Sequence, residues 1–156
     1  MPCLSGSFNP RDGIYHRVVV LPYPVPGQRH VSGATVIADQ RLHDFKALFD
    51  TGAQVTCVSQ RVASEVPLTP RGRQNLISAS EVKETNSYLF TIGFVTSIDR
   101  TDGTDQVSGH MQVFGPLEGL EIRSEDDDDV DVLIGMDVLG RGALHVGFDG
   151  RFMFSW

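Results

Sequence analysis

Across 156 residues, 20 Asp and Glu stand against 13 Lys and Arg, a net charge of −7 that disfavours nucleic acid or an anionic membrane as a partner. A composition 40% hydrophobic and 21% charged is that of one soluble globular domain, long enough to bury a real core. No apolar stretch reaches the length that spans a bilayer, and no basic-then-apolar leader opens the chain, so the expected location is cytoplasmic. The two cysteines, Cys3 and Cys57, lie far apart, which fits a reducing compartment better than a structural disulfide. Sixteen Gly and eight Pro, with few long helical patterns, point to an all-β chain.

In chain order, residues 1–13 are rich in turn formers and read as irregular. Ile14 to Leu21, with Val18-Val19-Val20, reads as a strand, and Pro22, Pro24 and Pro26 then impose an extended linker. His30 to Ala38 and Leu42 to Phe49 read as two strands joined at Asp39-Gln40-Arg41. Ser59 is a good N-cap for a short helix that buries Val62 and Val66 and ends at Pro67. Gln74 to Ser80 and Tyr88 to Thr96 read as strands around the polar stretch Glu81 to Asn86. A turn at Asp99 to Asp105 leads to a strand from about Gln106 to Phe114, which Gly115-Pro116 should break. A loop over 116–129 ends in the acidic run Glu125 to Asp129. Val130 to Ile134 is a strand and Asp137 to Gly140 one helical turn. Ala143 to Phe148 and Arg151 to Trp156 should form a hairpin around Asp149-Gly150, a strong turn dipeptide.

Two stretches stand out. Ala47-Leu48-Phe49 is an apolar run that stops at Asp50-Thr51-Gly52, after which Val55-Thr56-Cys57-Val58 resumes a β-rich pattern. Charge directly after a buried strand is costly unless partnered or functional. The second stretch, Val132-Leu133-Ile134-Gly135-Met136-Asp137-Val138-Leu139, is again an apolar run ending in Gly and a polar residue. Together, Ala-Leu-Phe-Asp-Thr-Gly-Ala and Leu-Ile-Gly-Met-Asp-Val-Leu resemble the retropepsin-like aspartic proteases of the retroviral and retrotransposon (A2-like) type. The Gly-Met-Asp form is nearer to retrotransposon and cellular members than to the retroviral Gly-Arg-Asn. The resemblance spans roughly residues 32–156 and leaves 1–31 as an N-terminal extension or extra strand.

The resemblance implies a retropepsin-like closed β-barrel with a flap hairpin and one or two short helices. It implies an aspartic endopeptidase with Asp50 as catalyst, Thr51 bonding its counterpart across a dimer axis, Gly52 admitting the substrate backbone, and Ala53 leaving room at a subsite wall. Gln54 stands where the family often has Asp and Met136 where retroviral members have Arg, so both ends of that pair are uncharged. Ser78, Ala79 and Ser80 fall where the family places its flap, without the usual Gly-rich tip. Ile134, Gly135, Met136 and Asp137 form the supporting second motif, and Asp137 is expected to cap the turn after it.

Aspartic proteolysis needs two carboxylates sharing one proton, one as base on a water and the other polarising the peptide carbonyl. This chain carries one Asp-Thr-Gly; neither Asp102-Gly103 nor Asp149-Gly150 follows an apolar strand, and the length is too short for two lobes. A symmetric homodimer with one Asp50 from each subunit is the economical solution. The implied partner is an extended peptide with apolar side chains at the cut, and neither cofactor nor metal is implied. His16, His30, His43, His110 and His145 show no metal-ligand spacing with either Cys, and Glu125 to Asp129 lacks the alternation of a Ca²⁺ loop. The rival reading is a non-catalytic binding or dimerisation module that keeps the same fold.

Overall fold

The computed structural model describes residues 3–24, 28–31, 34–37, 43–77, 82–100, 107–122 and 130–156. Its strands in order are β1 (Cys3–Ser7), β2 (Ile14–Pro22), β3 (Gln28–Val31), β4 (Ala34–Ile37), β5 (Asp44–Phe49) and β6 (Cys57–Ser59). Helix α1 (Gln60–Glu65) precedes β7 (Thr69–Ile77), β8 (Val82–Arg100), β9 (Val107–Ile122) and β10 (Val132–Ile134). Helix α2 (Met136–Leu139), β11 (Ala143–Val146) and β12 (Arg151–Ser155) complete the chain.

The main sheet runs β2-β5-β10-β6-β9-β8-β7, and β2 also pairs with β8. Six strands therefore close on themselves, and β7 hangs outside the ring as the outer arm of a hairpin with β8. The fold is all-β: a closed barrel with two short helices. Alternation builds its interior, with Phe45, Ala47 and Phe49 of β5 facing Phe90, Ile92 and Phe94 of β8, all buried. One end is filled by rings: Phe49 meets Phe94, Phe152 and Phe154 edge-on at 5.8–6.1 Å, and Trp156 stacks on Phe94 at 5.9 Å. Each such pair contributes about 0.5–1.5 kcal/mol beyond its buried area. In β2, Val19 and Leu21 point the other way and pack with Met111 and Val113 of β9 in a separate small cluster.

Several elements depart from the sequence expectations. Residues 3–7 are not irregular: β1 pairs antiparallel with β12, from Cys3↔Ser155 to Ser7↔Arg151. Turn-forming Ser and Gly hide the strand, but Gly6 lies against the Phe152 ring, where a Cβ would come within 2.8 Å of Cε1. Within 30–38 the chain forms a hairpin rather than one strand, since β3 pairs with β4 from Gln28↔Ile37 to Val31↔Ala34. The expected turn at Asp39-Gln40-Arg41 lies outside the described residues.

Gly115-Pro116 does not end β9. The ladder passes from Ile92↔Phe114 to Phe90↔Leu117, leaving Thr91 opposite both residues in a bulge, where proline's missing N–H costs no ladder bond. Residues 116–122 are thus strand instead of loop, and the acidic run Glu125 to Asp129 lies outside the described residues. The polar stretch 82–86 is likewise strand, paired from Val82↔Ile77 to Asn86↔Arg73. Helix α1 forms as read: the Ser59 hydroxyl accepts from the Val62 N–H at 3.3 Å and the helix stops at Val66, before Pro67.

Candidate active site

The site is built where three short strands run side by side. Strand β10 lies between β5, to which it is parallel (Ile134↔Phe49), and β6, to which it is antiparallel (Leu133↔Cys57). The two apolar motifs, more than 80 residues apart, thus become neighbours in one sheet and end together. Both ends of β10 are pinned. At its start, the Asp131 carboxylate accepts from the Lys46 N–H at 3.1 Å and from Arg61 at 3.1 Å, while its carbonyl accepts from the Ser59 N–H at 2.8 Å. This clasp ties β5, β6 and α1 to one buried acid, and nothing in the local sequence announces it.

At the other end, the Asp50 N–H donates to the Ile134 carbonyl at 3.0 Å, prolonging the β5–β10 pairing by one residue. The loop then turns. The Gly52 N–H donates to Asp50 Oδ1 at 2.8 Å, an Asx-type turn, and the Ala53 N–H donates to the Asp50 carbonyl at 3.2 Å. Asp50 is half-buried, Thr51 and Gly52 are exposed, Ala53 is half-buried and Gln54 is exposed. The carboxylate is therefore held at the surface by its own loop, and among the described residues no hydrogen bond reaches Oδ2.

The second motif supports that loop from beneath. The Met136 N–H, left without a partner at the start of α2, donates to the Ala53 carbonyl at 2.9 Å. Asp137 does not cap α2 as expected, because the N-cap position falls to Gly135. Its carboxylate instead takes two bonds from Thr56, the N–H at 3.0 Å and the hydroxyl at 2.6 Å. The same hydroxyl accepts from the Gly135 N–H at 3.1 Å. Thr56 is fully buried and was not singled out from the sequence; a hydroxyl within the otherwise apolar run Val55 to Val58 was the available signal. Ile134 and Gly135 are buried, while Met136 and Gln54 are both exposed.

Gly135 is a steric requirement. A Cβ there would fall 2.6 Å from the Val55 carbonyl carbon and 2.9 Å from the Thr56 nitrogen, both backbone. Cys57, next along β6, is buried; burial, with the Asp137 and Asp50 carboxylates adding to it, pushes its thiol up to about 11. It is a protonated packing group at neutral pH, and both cysteines are free.

Ser78, Ala79 and Ser80 lie outside the described residues, between β7 and β8. The arms of that hairpin are described down to Ile77 and Val82, which pair and are both well exposed. Its root is fastened to β9: the Tyr88 hydroxyl and the Asn86 amide both donate to the buried Glu121 carboxylate, at 2.7 and 3.2 Å, and Thr85 donates to the Glu121 carbonyl at 2.7 Å. Among the described residues, no three His, Cys, Asp or Glu side chains gather as a metal would require, and no helix is long and apolar enough to cross a membrane.

No protein-family model matches the chain, and no curated protein does. Among solved structures it is similar to the crystal structure of a retropepsin-like aspartic protease from Rickettsia conorii, at 12% identity and a TM-score of 0.47, over 97% of this chain and 89% of that one. A likeness at that level says nothing about chemistry, which the loop at Asp50 and its neighbours must carry.

Proposed function

We propose that this chain is one subunit of a homodimeric aspartic endopeptidase, with a composite active site built from two copies of Asp50. The observation that carries the reading is the loop itself. A carboxylate at the end of a buried strand is turned to the surface, oriented by the Gly52 N–H, and locked from beneath by the Gly135–Thr56–Asp137 bonds. A turn aspartate of purely structural use would not need a second strand delivered from the far end of the chain to brace it.

In this reaction one Asp50 takes a proton from a water as that water adds to the scissile carbonyl carbon. The other, protonated, gives its proton to the carbonyl oxygen. The tetrahedral species then collapses as a proton passes to the amide nitrogen and the C–N bond breaks, leaving an acid and an amine. The substrate lies extended, with apolar side chains at the cut, between the loop and the β7–β8 hairpin.

The active form holds one proton between two carboxylates. Cleavage of a mixed peptide pool should therefore peak at acidic to mildly acidic pH, fall away on both sides, and be unchanged by EDTA. Loss of cleavage with EDTA that Zn²⁺ or Ca²⁺ restores contradicts the reading.

A further inference from the structure

We infer that Glu121 is a positioning residue for cleavage: it pins a hinge in the β7–β8 hairpin and joins that hinge to the strand that braces the Asp50 loop. The inference rests on the protease reading and adds to it the residue that sets where the hairpin stands relative to the site. Ser87↔Leu120 is the last pair between β8 and β9, and among the described residues 82–86 then pair with β7 alone. Residues 73–77 and 82–86 thus form a two-stranded arm, and such a ribbon is only marginally stable by itself.

Both strands of the arm break their regularity at one level. Opposite the point where β8 leaves β9, the register of β7 shifts between Pro70↔Tyr88 and Gly72↔Ser87, which leaves Arg71 as a bulge. Gly72 takes φ +125°, which side chains rarely adopt, while the space around its missing Cβ is open. Backbone conformation, not crowding, calls for glycine there. A bulge bends the strand that carries it.

Glu121 reaches this level from β9. Its Oε2 accepts from the Tyr88 hydroxyl at 2.7 Å and from the Asn86 amide at 3.2 Å, and its carbonyl accepts from the Thr85 hydroxyl at 2.7 Å. Tyr88 packs on the core; burial, with the Glu121 bond adding to it, raises its phenol above the ordinary value and keeps it a donor. Burying a carboxylate is costly unless its charge is met, and a contact that needed only packing would be made by an apolar side chain. What the carboxylate adds is direction, because charge-assisted bonds are short and strong, and the two donors flank Ser87.

The same stretch of β9 touches the site. Glu121 pairs with Val58 of β6, and Leu120 pairs with Cys57. A Cβ at Gly119 would overlap the Thr56 carbonyl oxygen and the Phe90 ring, so β9 lies close against the residue that holds Asp137. Residues 119–121 therefore carry both the hinge of the hairpin and the back of the Asp50 brace.

The test is steady-state kinetics and amide hydrogen exchange on wild type, Glu121→Gln, Tyr88→Phe and the double variant. Tyr88→Phe keeps its ring on the core and serves even where Glu121→Gln weakens the fold. KM should rise about tenfold in each single variant and little further in the double, because both remove one tie. Amides of 73–77 and 82–86 should exchange at least about tenfold faster, and those of β2 and β5 as in wild type. Arg73→Gln, which removes only an exposed ion pair with Glu84, should match wild type. A merely structural role would lower the active fraction, and so kcat, and leave KM alone. A wild-type KM in Tyr88→Phe, or unchanged exchange in the arm, overturns the inference. The two readings fail separately. Faster exchange in the arm together with an Asp50→Asn protein that still cleaves keeps the hinge and removes the aspartic protease. An inactive Asp50→Asn with a wild-type KM in both hinge variants does the reverse.

Discussion

Asp50→Asn should remove peptide cleavage, by at least ~10² and toward ~10⁴-fold, the range that general acid–base groups contribute. The amide matches the carboxylate in size, and its oxygen can keep the 2.8 Å bond from the Gly52 N–H. It cannot accept the proton of the attacking water. The bonds that shape the loop run mostly through backbone, from the Asp50 N–H to Ile134 and from Ala53 to the Asp50 carbonyl, and the substitution leaves them alone. Stability should therefore change within the ~0.5 kcal/mol typical of surface substitutions, about 1–2 °C in thermal midpoint for a domain this size. The dimer should remain nearly intact, because the replacement is isosteric. Calorimetry and a fluorogenic peptide assay check the two halves. An Asp50→Asn protein of wild-type activity would leave the loop without a catalytic role.

Gly135→Ala should damage both stability and activity, for a different reason. Its Cβ would meet the backbone of Val55 and Thr56, which cannot rotate away, so β6 or the end of β10 must shift. Overpacking of this kind costs typically ~1–3 kcal/mol, about 2–12 °C in thermal midpoint at this chain length. The shift falls between Asp137 and Thr56, whose 2.6 Å bond braces the Asp50 loop, and a displacement near 1 Å can cost ~10²-fold in rate. Gly93→Ala is the control. The three atoms nearest its Cβ would all belong to the Met111 side chain, which is flexible and can swing aside, so its effect should be smaller and confined to stability. Equal losses in the two variants contradict the brace.

What was legible in the sequence was what is local. Phe49-Asp50-Thr51-Gly52 is a strand ending in a turn, Ser59 with Val62 and Val66 is a capped helical face, and Asp149-Gly150 is a hairpin turn; each is decided by neighbours within a few residues. The second motif could be read as an apolar strand ending in Gly, but not why its Gly is required, because the Val55 and Thr56 backbone that excludes a side chain lies about 80 positions away. Asp137 was misread for the same reason: a carboxylate at a helix start usually caps it, and only the fold brings Thr56 within 2.6 Å. Strand β1 was missed because Ser and Gly carry no β signal of their own and its partner β12 is at the opposite end of the chain. Gly115-Pro116 would break a regular ladder, and a bulge opposite Thr91 removes the conflict. Pairing across long separations decides each of these, and periodicity does not report it.

The central claim is that one active site needs Asp50 from two chains. It is tested most directly by mixing wild-type and Asp50→Asn protein at fixed total concentration, allowing subunits to exchange, and following peptide cleavage against the mutant fraction. Mixed dimers hold one Asp and one Asn and should be inactive, so activity should fall as the square of the wild-type fraction. A linear fall, in which each wild-type chain works regardless of its neighbour, would contradict it and send the search for a second carboxylate into the same chain, beginning with Asp137.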